Sequence, residues 1–315
     1  MPGRCGRGTT TVVFVPTEPP VRYRSRDEDS ARWWHFPFRA ADIVISTRSK
    51  SGTTWMQMIC ALLVFQTRAF PQPLTDLSPW LDWLITPEAE VYARLAAQRH
   101  RRIIKTHTPL DGLPIDPRVT YIVVARDPLD LAVSLFHQST NLNRDRMRQL
   151  SGQPAPAPAE DPPPPTTVHE WLVAWVDWEG EATEHMDSLP GVMRHLSDAW
   201  ARRAEPNVVL VHYDDLSGDL EGEMGRLADR LGIVVPEGAL VQLAHEARFE
   251  QMRASAGRIV PDPMGILVDG TRFFRRGSSG EGREVLSSEE VAHYRARAAH
   301  MGPPELVRWL HRWEG

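Results

Sequence analysis

Lysine is rare in this 315-residue chain, and so is cysteine. The two cysteines are Cys5, near the amino end, and Cys60, inside an apolar segment. Two thiols so placed make no disulfide framework, which argues against a stapled secreted scaffold and for a reducing cytoplasm. Long apolar runs are missing as well. Nothing approaches the roughly 18 residues of a membrane span, and Val12-Val13-Phe14-Val15 is too short for the core of a signal peptide. There is no basic excess either. The formal net charge is -5, which gives no electrostatic reason to expect a nucleic-acid partner. No ligand cluster of metal type stands in the sequence, so no metal is expected.

What is present is apolar and patterned. Hydrophobic residues make up 42% of the chain, enough for a sizeable core. Residues 1–20 are rich in Gly, Pro and Thr and read as a frayed tail. The rest, 21–315, reads as one unit with an exposed proline-rich loop at 151–167, because strand and helix patterns resume after that loop. Four short apolar runs read as strands: Ile43–Ile45, Ile103–Ile104, Val119–Ala125 and Val208–His212. Helices are expected from Thr53 to about Arg68, from Asp127-Pro128 onward, and near 219–232 and 236–248. Residues 257–286 read as irregular. Ser287 and Glu290 form a capping box that opens a helix to about His300, and Pro303–Trp313 makes the last one. Strands alternate with helices, and the polar stretches follow the strands. That pattern is an α/β doubly wound, mainly parallel sheet, with its ligand at the carboxyl ends of the strands.

Four of those polar stretches carry chemistry. Arg48-Ser49-Lys50-Ser51-Gly52-Thr53-Thr54-Trp55 lies between the first strand and its helix. Backbone N–H groups of Ser51, Gly52, Thr53 and Thr54 at a helix N-terminus would hold an anion, and Lys50 adds a point charge. The alternative is a helix capped by Ser51 or Thr53, with Lys50 in solvent. Lys105-Thr106-His107-Thr108-Pro109 ends the second strand; His107 there is either a usable base or one idle histidine among twelve. Arg126 leaves the third strand, and Ser134 lies about two helical turns on. An arginine at that place forks onto a phosphate, or pairs with Asp130. Arg275-Arg276-Gly277 opens a glycine-rich turn that suits a lid over an anion, or a solvated basic loop. Two anion sites in one crevice suit a nucleotide with phosphates at both ends of its ribose. The first loop lacks the G-K-[ST] of a phosphate-binding kinase loop, although Asp127 could be argued for its magnesium.

Taken in order, S-K-S-G-T-T-W, K-T-H-T-P, R-D-P-L-D-L-A-V-S and F-F-R-R-G-S-S-G resemble the cytosolic-type sulfotransferases. The surrounding residues look most like actinobacterial, mycobacterial glycolipid-type members. The resemblance implies a P-loop-like fold and a sulfuryl donor, 3′-phosphoadenosine 5′-phosphosulfate (PAPS), whose product is adenosine 3′,5′-bisphosphate. It implies that Lys50, Ser51, Gly52, Thr53 and Thr54 hold the 5′-phosphosulfate. Trp55, Tyr213 and Phe249 would contact the adenine. Arg126, Ser134, Arg275, Arg276 and Gly277 would bind and cover the 3′-phosphate. His107 matches the catalytic base, with Lys50 and Lys105 beside the reacting groups. The acceptor would be a small alcohol, phenol or glycolipid. A P-loop-type kinase and a non-catalytic nucleotide-binding protein are the competing readings. The chain departs from the family pattern at Ser49, in place of proline, at Ala247, in place of a hydroxyl residue, and at Glu281-Gly282, in place of Asp-Trp. Acceptor-wall candidates are Pro79–Ile85 with Trp80 and Trp83, Gln138–Arg148, and Trp171, Trp175 and Trp178 beside the proline-rich loop; the tryptophans otherwise read as core.

Overall fold

The computed structural model describes residues 19–152 and 167–312. The expected tail up to residue 18 and all but the ends of the proline-rich loop therefore lie outside the described residues. Four strands form one sheet: β1 (Ile43–Ser46), β2 (Ile103–Thr106), β3 (Thr120–Ala125) and β4 (Val208–His212). Their order is β2-β1-β3-β4 and every pairing is parallel. Parallel strands need crossovers, and helices supply them on both faces.

Side chains alternate across the pleat, so each strand feeds two cores. Val44, Ile104, Tyr121 and Val123 face one buried cluster with the helices Pro128–Ser139 and Leu189–Ala201. Ile43, Ile45, Ile103, Ile122 and Val124 face the other, with the helices Thr53–Phe65 and Leu220–Leu231. The chain leaves β1 toward β2 on one side and β3 on the other, so the switch point falls between β1 and β3. Crevices for ligands open there, beyond the carboxyl ends.

The differences from the sequence reading are local. The first helix stops at Phe65, three residues early, because Gln66 adopts φ 55 and returns its N–H to Leu62 at 2.8 Å. The helix expected at 236–248 is Ala239–Glu246, followed by a separate Phe249–Ala254. The stretch read as irregular holds short helices at Ala256–Ile259 and Glu281–Val285 and a 3-10 turn at Gly270–Phe273. Tertiary capping explains the second of these: the Asp130 carboxylate accepts from the N–H groups of Gly280 at 2.7 Å and Gly282 at 2.9 Å. The capping box at Ser287 and Glu290 forms as expected. Among the described residues, no helix is long and apolar enough to cross a membrane.

Candidate active site

The loop after β1 is shaped by two left-handed residues. Lys50 has φ 65 and Gly52 has φ 97. The first is uncommon for a residue with a Cβ, a conformation that collects at functional sites. The second needs glycine: a Cβ there would stand 3.1 Å from the Tyr213 ring. Gly52 also occupies the cap position of the helix Thr53–Phe65 and supplies no side-chain cap. Neither Ser51 nor Thr53 caps it. Thr53 Oγ1 instead pairs with Thr47 Oγ1 at 2.5 Å, and the first-turn amides have no intrahelical acceptor. Ser51 is buried, its N–H donates to the Arg48 carbonyl at 3.2 Å, and it is set back from the residues that line the cleft.

The other motifs converge on this loop. One cleft is lined by Lys50, Gly52, Thr53, Thr54, Trp55, Lys105, His107, Arg126, Ser134, Tyr213, Phe249, Arg275, Arg276 and Gly277. The chain has two lysines in all, Lys50 and Lys105, and both are here. That scarcity was a signal open to sequence reading, and composition bias obscured it.

Arg126 spans the switch point. Its guanidinium donates to the carbonyls of Lys50 at 3.0 Å and Ser278 at 3.2 Å and lies 4.4 Å over the Tyr213 ring. Its buried Nε has no hydrogen-bond partner among the described residues. The ion pair with Asp130 that the spacing allowed does not form, since Asp130 is engaged by Gly280 and Gly282. Arg275 and Arg276 reach over the cleft and meet Glu281: Arg275 through both guanidinium nitrogens, Arg276 at 3.5 Å. Gly277, at φ 69, lies so close to Phe249 that a Cβ would stand 2.5 Å from the ring. Trp55 meets Tyr213 edge-on at 5.2 Å and donates its indole N–H to the Ala247 carbonyl at 2.8 Å. Ala247 thus contributes its backbone, which any side chain would have offered.

His107 is held from two sides. Its Nδ1 donates to the Thr47 carbonyl, and its own carbonyl accepts from Arg48, which also pairs with Asp187 at 2.6 Å. A carbonyl is acceptor-only, so Nδ1 carries the proton and Nε2 keeps its lone pair. Burial first, then Lys105 and Arg48, pushes the imidazole well below its usual 6.5. Burial likewise lowers Lys50 to about 8, helped by Arg126, Lys105 and Arg275. Burial lowers Lys105 to about 8, against the pull of Glu28 and Asp82. Asp82 is fully buried and takes hydrogen bonds from Thr106, Thr108 and Trp33, fixing the strand end on both sides of His107. Thr47, Arg48, Asp82 and Glu281 were missed from sequence; their role is tertiary and leaves no spacing pattern.

The kinase carboxylate is otherwise employed. Asp127 caps its helix by accepting from Leu129 at 2.9 Å and faces Arg283 at 3.5 Å. Among the described residues, no group of three or more His, Cys, Asp or Glu is arranged to hold a metal. Of the acceptor-wall candidates, Trp80, Gln138 and Asn141 line the cleft. Trp171 and Trp175 do not: their indoles donate to the carbonyls of Ala132 at 3.0 Å and Asp187 at 2.8 Å, in structural roles.

Residues 40–300 match the profile of the sulfotransferase domain. The chain belongs to the sulfotransferase family. A glycolipid sulfotransferase of Mycobacterium tuberculosis is 42% identical over 311 residues, covering 92% of this chain and 94% of that protein. Mouse sulfotransferase 1A1 is 26% identical over 275 residues, 82% of this chain and 84% of the relative. Among solved structures, a retinol dehydratase complexed with androsterone and the inactive cofactor PAP superposes with a TM-score of 0.66 at 23% identity, covering 86% of this chain and 83% of that one. A mouse sulfotransferase complexed with PAP gives 0.64 at 19%, covering 88% and 89%. These two show that the fold of this sulfotransferase is shared.

Proposed function

We propose that this sulfotransferase uses PAPS as donor and that its acceptor is a hydroxyl on a glycolipid or other small molecule, with His107 as general base. The observation that carries the reading is the tautomer of His107. A neutral imidazole with its proton fixed on Nδ1 presents Nε2 as a proton acceptor in a cleft that is also lined by two lysines and four arginines.

The cleft fits a nucleotide with two phosphate ends. Gly52, Thr53 and Thr54 would cradle the 5′ end on their amides, with Lys50 beside it. Arg126, whose Nε lacks a partner among the described residues, would bind the 3′ phosphate with Ser134, under Arg275, Arg276 and Gly277. Trp55, Tyr213 and Phe249 supply aromatic surface for the base. When bound, PAPS supplies an activated sulfuryl group on a phosphate leaving group. His107 takes the acceptor's proton at Nε2. Lys50, assisted by Lys105, offsets the charge that grows on the leaving oxygen. Aromatic Trp80 beside His107 suits an acceptor with an apolar face. The glycolipid class draws support from the mycobacterial relatives named above. Residues 21–315 would act as one catalytic unit. A cytoplasmic site of action agrees with the buried, free thiol of Cys60.

Two measurements test this. Calorimetry should find tight, magnesium-independent binding of adenosine 3′,5′-bisphosphate over ATP with magnesium; the reverse preference overturns the donor. Transfer of labelled sulfate to a glycolipid, compared with a simple phenol, tests the acceptor; turnover of the phenol alone would sink the glycolipid class.

A further inference from the structure

His107 stands one residue beyond the last pair of its strand, where Ser46 lies opposite Thr106. The ladder stops there, so other contacts must fix the imidazole. The end of β1 supplies them in three consecutive residues. Ser46 Oγ donates to the Thr108 carbonyl at 2.6 Å, the Thr47 carbonyl accepts from His107 Nδ1, and the Arg48 guanidinium donates to the His107 carbonyl. The backbone and the ring of His107 are thus both gripped by the segment that runs on into the loop at Lys50. Arg48 belongs to that loop as well, since its carbonyl accepts from the Ser51 N–H at 3.2 Å.

Arg48 is 3% exposed. A guanidinium buried so deeply is strongly destabilising unless a counter-charge meets it. Asp187 meets it: one guanidinium nitrogen donates to the His107 carbonyl and the other to Asp187 Oδ1, the latter at 2.6 Å. A planar fork can divide itself this way between two acceptors, whereas a single ammonium cannot hold the same geometry. Asp187 is itself fixed. The Trp175 indole donates to its carbonyl at 2.8 Å, and the next residue, Ser188, caps the helix Leu189–Ala201. The Asp187 side chain is 40% exposed on its other side. Neither Arg48 nor Asp187 lines the cleft, so their influence on the reaction is indirect. The charged and titratable groups facing His107 are Lys105 from β2, Arg48 from the loop after β1 and His195 from the helix Leu189–Ala201; after burial, all three favour the neutral ring.

We propose that Arg48 and Asp187 are a positioning pair for the general base: Asp187 locks the guanidinium, and the guanidinium holds His107 with Nε2 toward the cleft while tying it to the cofactor loop. The proposal rests on the assignment of His107 as base given above.

The test uses the full chain, isotope-labelled at the histidine ring nitrogens, with the variants Arg48→Lys, Arg48→Gln and Asp187→Ala. Nuclear magnetic resonance reads the tautomer and titration of His107, whose signals are assigned by their loss in His107→Ala. The parent should show the neutral ring protonated on Nδ1. Arg48→Lys keeps the charge and loses the bridge, so both neutral tautomers should appear with an unchanged titration. Asp187→Ala releases the guanidinium and should mix the tautomers likewise. Arg48→Gln loses the charge that opposes ring protonation, so His107 should hold its proton to a higher pH than in the parent. Transfer of labelled sulfate from PAPS, with octyl glucoside and phenol as acceptors, should fall about 10- to 100-fold in kcat in all three, with unchanged affinity for adenosine 3′,5′-bisphosphate. In a His107→Ala background, Arg48→Lys should cost nothing further, because its effect passes through the ring. Parent-like His107 spectra and titration in all three variants would overturn the positioning role. So would an Arg48→Lys loss that multiplies with that of His107→Ala. Should the Arg48 variants not fold, Asp187→Ala decides alone by its tautomer and its kcat, since its side chain is partly exposed. Full turnover in His107→Ala is a separate failure: it overturns the base itself, whatever the spectra show, and the positioning role falls with it.

Discussion

Replacing Gly277 by alanine should cripple cofactor capture, and Gly280→Ala supplies its control. Both glycines have positive φ, 69 and 100. A Cβ in that region costs about 1–2 kcal/mol. The two positions differ in their surroundings. At Gly280 a Cβ meets nothing within 4 Å, whereas at Gly277 it would stand 2.5 Å from Cγ of Phe249. That is about 1 Å inside normal carbon contact, and overpacking of this kind adds about 1–3 kcal/mol. Gly280→Ala should therefore cost about 1–2 kcal/mol and Gly277→Ala about 2–5 kcal/mol. If the cost falls on the closed lid, adenosine 3′,5′-bisphosphate binds about 30-fold or more weaker to Gly277→Ala, at 1.4 kcal/mol per decade. If it falls on the ligand-free fold, the melting temperature drops instead. Calorimetry and thermal unfolding together capture the sum. Equal effects of the two substitutions in both assays would refute the contact with Phe249 as the cause.

His107→Ala should lose about 10²- to 10⁴-fold in transfer while still binding the bisphosphate, read by turnover and calorimetry on the same preparation. Arg126→Lys keeps the charge but loses the fork; bisphosphate affinity should fall about tenfold or more, and an unchanged value would remove Arg126 from the phosphate site. The pH profile follows from the directions found in the cleft. Lys50 and Lys105 must be protonated to offset charge and are lowered to about 8, so kcat/KM for the donor should decline above about pH 8. His107 is held well below 6.5 and stays neutral as pH falls, so no acid limb should appear near 6.5. Gly282→Ala should lower the melting temperature, since its Cβ would lie 2.5 Å from the backbone of Leu129.

The parallel sheet was legible because buried parallel strands are continuously apolar, and Ile43–Ile45 and Val208–His212 are. The convergence on one cleft was legible because Lys50, His107, Arg126 and Arg275 each follow a strand or open a glycine turn, where chemistry concentrates in such folds. Contacts that depend on distant partners were not. Asp130 stands four residues after Arg126, a spacing that reads as an ion pair, yet it caps the helix at Glu281–Val285 from 150 residues away. Asp82 carries no local signature, because its partners Thr106 and Thr108 meet it only once β2 is laid beside it. Trp171 and Trp175 were ambiguous for the opposite reason: helical spacing places an indole without saying what its N–H will find.

The two lysines have a practical consequence. An amine-selective acylating reagent meets no other side-chain amine in this chain. It meets these two partly deprotonated at neutral pH, since burial holds both near 8. Labelling is thereby confined to the cleft and the α-amino group. Mass increments on the peptides carrying Lys50 and Lys105 become a direct readout of occupancy, and protection by a bound nucleotide reports its affinity without any turnover assay. The same scarcity makes Lys50 and Lys105 natural anchors for a covalent inhibitor delivered by a nucleotide scaffold.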